Sequence, residues 1–195
     1  MPNWCDNVLT IRAKSSQDLA DFLTKYFTGA PRVFNFEHVV PEPQRKKDCP
    51  KDFWVTPKSH VVGDKSRPWF NWYDWHCAFW GTKWDIDNIE LPFTEADAIC
   101  NGYNELELYF ATAWSPAIPI CEALIEQNPH IYFSLDYYEC GMCFAGTYDA
   151  INGDCEVDSA NQEEWRKFLI DKGFETQEYF DELDAEEAAE NGKDE

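Results

Sequence analysis

From Glu105 to Trp114 the chain alternates strictly, with Leu106, Leu108, Phe110 and Trp114 on one face and Glu105, Glu107 and Tyr109 on the other. A period of two marks a strand with one buried face. The same pattern predicts a first strand over Asn7–Ala13, where Leu9, Ile11 and Ala13 alternate with Val8, Thr10 and Arg12. Ser15 and Asp18 then form a helix cap with an acidic N3 residue, and Leu19, Phe22, Leu23 and Tyr26 follow at the spacing of an amphipathic helix. Gly29 and Pro31 end it, and Phe34–Val40 reads as a short strand closed by Pro41-Glu42-Pro43. From there to Pro68 periodicity is absent, which marks a long loop or insertion, locally basic at Arg45-Lys46-Lys47. Ile86–Leu91 leads to or forms a further strand.

The second half repeats the order. Ser115-Pro116 predicts a cap followed by proline at the first helical position, and Ala117, Ile120, Cys121, Leu124 and Ile125 form the buried stripe. Asn128-Pro129 stops this helix. Ile131, Phe133, Leu135 and Tyr137 line one face of the next strand, Glu139–Gly141 turns the chain into a further strand over Met142–Asp149, and Asn152-Gly153 signals a hairpin. Ser159 and Gln162 read as a capping box for a helix carrying Trp165, Phe168 and Leu169, which ends near Gly173. A short helix such as Glu178–Ala189 follows, with a disordered end. Two β–α–β units in one chain predict an α+β, ferredoxin-like sandwich, an antiparallel sheet with helices on one face. The expected division is a domain over 1–158, with an insertion at about 41–84, and an acidic helix and tail over 159–195.

Composition narrows the function. The formal charge of −21 argues against nucleic-acid binding, which depends on Lys and Arg displacing counterions, and favours a basic partner or solubility alone. No apolar run is long enough to span a membrane, and Met1-Pro2-Asn3-Trp4-Cys5-Asp6 has neither the basic nor the apolar part of a signal peptide. The expectation is a cytoplasmic protein whose eight cysteines are free thiols.

Several separated motifs resemble one family. Met1-Pro2-Asn3-Trp4-Cys5-x-Asn7, Trp80-Gly81-Thr82-Lys83-Trp84-Asp85, Thr112-Ala113-Trp114-Ser115-Pro116 and Tyr138-Glu139-x-Gly141 with Ala145-Gly146 are similar to the YubB-type ferredoxin-like family of small phage and plasmid proteins. Phe79 stands where the family pattern has asparagine, and Ala117 where a second proline is common. The resemblance implies the ferredoxin-like fold and a mobile-element origin, but no established chemistry. "Ferredoxin-like" names a topology and gives no reason to expect an iron–sulfur cluster, and no cofactor is expected.

Five of the nine tryptophans lie between Trp69 and Trp84. Indole is a large apolar surface with one N–H that wants a partner, so such a cluster is core or recognition surface. Trp72, Trp75, Trp80, Lys83, Trp84, Asp85 and Trp114 are the candidate binding residues; two indoles flanking a lysine suit a nucleobase or a partner's arginine. In the packing alternative, Gly81 makes a turn, the Lys83 stem covers an indole, and Asp85 pairs with Lys83 or caps backbone. Trp4 and Trp114 admit both readings. The helix start at Ser115 is a candidate anion site, with plain capping the commoner use. Glu163 and Glu164 sit on a capped helix, where carboxylates are held rigidly enough to imitate nucleic acid.

Cys140 and Cys143 have knuckle-like spacing but lack a second pair; His130 and Cys155 are the nearest recruits for a metal. His38, His60, His76 and His130 fit no catalytic motif, and adjacent His76-Cys77 cannot easily act as base and nucleophile. The resulting expectation is a non-enzymatic binding protein of a mobile element that antagonises a host defence protein by contact with its basic surface. The alternatives are a nucleotide-sequestering protein built on the aromatic cluster and an undetected hydrolase.

Overall fold

The computed structural model describes residues 3–42 and 72–191. The basic stretch Arg45-Lys46-Lys47, Trp69, His60 and the end of the acidic tail lie outside them. Strand β1 (Trp4–Arg12) leads to helix α1 (Ser16–Tyr26), whose first turn is closed by the Ser15 hydroxyl accepting from the Asp18 N–H. The segment predicted as one strand over 34–40 divides into β2 (Val33–Phe34) and a 3-10 turn at Phe36–His38. Its cause is side-chain capping. Asn35 accepts from the His38 N–H, while the Asp85 carboxylate accepts from the N–H groups of Phe36 (2.7 Å) and Glu37 (3.1 Å).

Helix α2 (Trp72–Phe79) carries part of the tryptophan cluster, and β3 (Ile89–Glu90) pairs with β2. The sequence reading passed over α3 (Glu95–Asn101), which runs from a Thr94/Asp97 capping box to Gly102 at φ 68°. β4 (Glu105–Ala113), α4 (Ile118–Gln127), β5 (Tyr132–Glu139), β6 (Phe144–Asp149) and β7 (Gly153–Glu156) follow. The chain then forms α5 (Gln162–Asp171) and α6 (Gln177–Asn191).

The main sheet has five strands in the order β4-β1-β5-β6-β7, each pair antiparallel. β4, α4 and β5 form a split β–α–β unit that straddles β1, the ferredoxin-like arrangement. The first unit closes differently, because β2 leaves the main sheet to pair with β3 while β6 takes the place beyond β5. Register sets Leu9 between Leu108 and Leu135, and Ile11 between Leu106 and Phe133, so all six share one face. The stripes of α1 (Leu19, Phe22, Leu23, Tyr26) and α4 (Ile120, Cys121, Leu124) cover that face in one core. α5 and α6 cover part of the opposite face, where Leu169 and Phe180 pack with Tyr138 and Ala145.

Two caps fall elsewhere than predicted. α5 is capped by Asn161, which accepts from the Glu164 N–H, and not by Ser159. α4 starts after Ala117 with no side-chain cap, because the Ser115 hydroxyl is engaged elsewhere.

Candidate binding surface

The tryptophan cluster divides into an inner and an outer set. Trp75 and Trp80, both candidate binding residues, are core side chains at 6% and 3% exposure. Trp80 donates its indole N–H to the Val40 carbonyl (2.9 Å) and stacks on the His76 ring at 4.0 Å, while Trp75 stacks on Phe79. The indole N–H of Trp80 is thus satisfied indoors, which is what burying that ring requires. Trp72 lies at the margin, meeting His76 edge-on at 5.4 Å.

The motif residues between these rings converge on the junction of β1, β4 and the 80–85 turn. Gly81 has φ 79°, and a Cβ there would stand 2.6 Å from Pro119 Cδ and 2.8 Å from the Pro116 carbonyl oxygen. Thr82 is buried, accepts from the Ala113 N–H (2.9 Å) and donates to the Ala113 carbonyl (3.0 Å). Ser115 donates to the Gly81 carbonyl, so the hydroxyl read as a helix cap or anion ligand closes this turn instead. Buried Asn7 donates to Thr112 Oγ1 (2.9 Å) and accepts from the Ala117 N–H. Glu139 accepts from the N–H groups of Gly141 and Met142, and a Cβ on Gly141 would meet the Asn3 amide. Most polar residues of the motifs are therefore fasteners. Asp85 joins them, since both its oxygens are taken by backbone N–H groups at the 3-10 turn.

What remains outward is a smaller set. Trp4 and Trp84 are 51% and 40% exposed, with ring centroids 6.3 Å apart. Lys83 lies with its ammonium 4.3 Å from the Trp84 ring centroid, a cation–π contact within the chain. Beside Trp4 a groove of about 610 Å³ runs between β4 and the 85–89 segment, lined among others by Asp6, Asp87, Ile86, Tyr109 and Ala111. Burial raises the Asp6 carboxyl above its ordinary range, and burial followed by the Asp6 charge raises Glu175. The latter carboxyl follows α5, so a like-charged pair borders this region. Among the described residues no cation pairs with Asp6 or Asp87.

Residues 79–191 match the family model described as ferredoxin-like domain in Api92-like protein. The chain belongs to that family. Comparison with curated proteins and with solved structures returns no match. The family's matched region includes the 80–85 turn, β4 and the Tyr138–Gly146 motifs. β1, with Trp4 and Asn7, precedes it and yet lies between β4 and β5 in the sheet.

The other candidates lie apart. Trp114 is 46% exposed and held at φ 74°, a conformation costly for a bulky residue. It lines a separate hollow of about 370 Å³ with Gly81, Tyr137, Asp154 and Glu156. Glu163 and Glu164 are exposed in the first turn of α5 and line neither hollow. Cys140 and Cys143 are exposed free thiols, and no group of three metal-ligating side chains forms among the described residues. His76 points Nδ1 at the Lys83 carbonyl (2.8 Å), with Nε2 3.5 Å from Glu42, beyond hydrogen-bond contact though near enough for an ion pair when protonated. The Cys77 thiol instead meets the Tyr73 hydroxyl and is raised by burial. Asp6, Asp87 and Tyr109 escaped the sequence reading. Tyr109 carried a usable signal, being an aromatic on the polar side of an alternating strand.

Proposed function

We propose that the chain is a non-enzymatic binding protein whose Trp4–Trp84 pair and neighbouring carboxylates hold a basic surface of another protein. The exposed indole pair beside Asp6 and Asp87 carries this reading: aromatic anchors supply contact area, and carboxylates with no cation partner among the described residues select a cation. The net charge of −21 adds long-range steering toward basic partners. The resemblance to phage and plasmid proteins extends the proposal to a mobile-element product that disarms a host defence protein in the bacterial cytoplasm.

The acidic helices support a variant in which carboxylates imitate nucleic acid. Residues 162–191 hold eleven acidic against three basic side chains. Packing of Leu169 and Phe180 on the sheet holds both helices in place. Nucleotide sequestration is less well supported, since Asp6 and Asp87 repel phosphate, and Trp75 and Trp80 line neither hollow. The hydrolase reading lacks a couple, because His76 and Cys77 engage different neighbours.

Affinity capture from a bacterial host tests the proposal, comparing wild type with the Trp4→Ala/Trp84→Ala double variant. A protein retained by wild type at low salt and lost with the double variant is expected. Identical capture by both contradicts the indole pair as the anchor, and retention unchanged in high salt contradicts the role of charge.

A further inference from the structure

Among the described residues, β4 is an edge strand of the main sheet with no strand beyond it. In an antiparallel strand, successive residues turn their N–H and C=O groups to alternate sides. Asn104 accepts from the Ala13 N–H, and the Trp114 N–H reaches Asn3, so even-numbered residues face β1. Ala113 faces outward to Thr82, which fixes Tyr109 and Ala111 as outward too. Thr82 closes the edge at Ala113, and the chain then moves away as Asp85 turns in toward the 3-10 turn. Among the described residues nothing bonds the outward backbone groups of Glu107, Tyr109 or Ala111.

We infer that a partner docks by strand addition: an extended segment bearing lysine or arginine enters the groove and hydrogen-bonds to the Tyr109 and Ala111 backbone. This rests on the basic-partner reading above and gives it a mode. A strand edge whose outward backbone groups at Glu107, Tyr109 and Ala111 are unbonded among the described residues is a template for another strand, and natural proteins blunt such edges unless they are used. The groove beside it has the dimensions of a binding cleft, and its polar lining selects the occupant. Asp6 and Asp87 flank the open backbone, Glu107 extends from the same edge, and Trp4 offers a face for a guanidinium. A second copy of this chain is the wrong occupant on charge, because it is itself acidic, with a net charge of −21, where the groove calls for a cation.

The test uses a capped peptide of about ten residues alternating valine and lysine, the same peptide N-methylated at every second backbone nitrogen, and a valine–glutamate version. Binding is followed by titration, and hydrogen exchange is read at the Tyr109 and Ala111 amides. The valine–lysine peptide is expected to bind and to slow exchange at both amides, while the N-methylated and acidic peptides bind at least about tenfold more weakly. Ala111→Pro is expected to weaken binding about tenfold while leaving the fold intact, because proline at an edge removes only an outward N–H. Equal binding of the N-methylated peptide, or of Ala111→Pro, overturns strand addition but leaves the basic-partner reading standing. Failure of the valine–lysine peptide to bind at all contradicts both. Protection of both amides without peptide, appearing with a concentration-dependent dimer, assigns the edge to self-association instead.

Discussion

The Thr82 hydroxyl satisfies both backbone groups of Ala113, accepting from its N–H and donating to its carbonyl. This single side chain fastens the tryptophan-bearing turn to the end of β4. Thr82→Val keeps the shape and removes both bonds in a buried site, leaving two orphaned backbone groups. We expect a loss of roughly 2–4 kcal/mol in urea unfolding at unchanged m-value, with Thr82→Ser close to wild type. A valine variant as stable as wild type would remove the fastener role.

Gly81→Ala tests the same turn from the other side. The substituted residue would be left-handed at φ 79° and would press its Cβ on Pro119 and Pro116. Strain of about 1–2 kcal/mol from the backbone alone is expected, with the clash added to it, so the melting temperature should drop by several degrees. Exposure of Trp84 to a fluorescence quencher should rise with it.

Acid stability should carry the mark of Glu95. Arg32 hydrogen-bonds this carboxylate and holds its pKa at about 2, against an ordinary 4.5. A carboxyl depressed in the folded state adds stability that is complete above 4.5 and is lost as the pH falls toward 2. Both side chains are partly open to water, so the contribution is at most about 1 kcal/mol. Glu95→Gln should therefore be slightly less stable at neutral pH and should show a flatter stability profile between those two pH values.

Thiol labelling separates the cysteines by burial. Cys5 and Cys121 lie inside the protein with their thiols pushed up to about 12, whereas Cys140, Cys143 and Cys155 are exposed. Thiolate is the reacting form, so the exposed group should react with iodoacetamide at pH 8 at least about tenfold faster than Cys5 and Cys121. Mass mapping of a partially labelled sample reads this directly.

The fold was legible where periodicity and a local cap agreed. Glu105–Ala113 alternates because one side meets the core and the other meets water, and Ser15 caps α1 because its hydroxyl has no other bond to make than those with Asp18. Local reading failed where distant partners decide. Ser115 has the sequence of a cap, yet its hydroxyl goes to Gly81, a residue far away in the chain. α2 escaped because aromatic residues surround it on more than one side, leaving no clear stripe. α3 was short enough for its Thr94/Asp97 box to pass unread.

The candidate surface was less legible. Trp80 and Trp84 look alike in sequence, and only the turn at Gly81 sends one inward to Val40 and the other out beside Trp4. Asp85 reads as a binding residue or as a backbone cap, and it is the cap, its carboxylate taken by the turn at Phe36. Asp6 and Asp87 become neighbours of one groove through tertiary contact that no spacing announces.

Lys83 offers the most direct measurement of the central claim, because its sign differs between the two kinds of ligand. Its ammonium covers the Trp84 ring, so it competes with an incoming cation and would assist an incoming phosphate. Titration of wild type and Lys83→Ala with the valine–lysine peptide and with ATP should show tighter peptide binding by the variant and no ATP binding by either protein. ATP binding by wild type that is lost in Lys83→Ala, with the peptide bound by neither, would contradict a surface built for a basic partner.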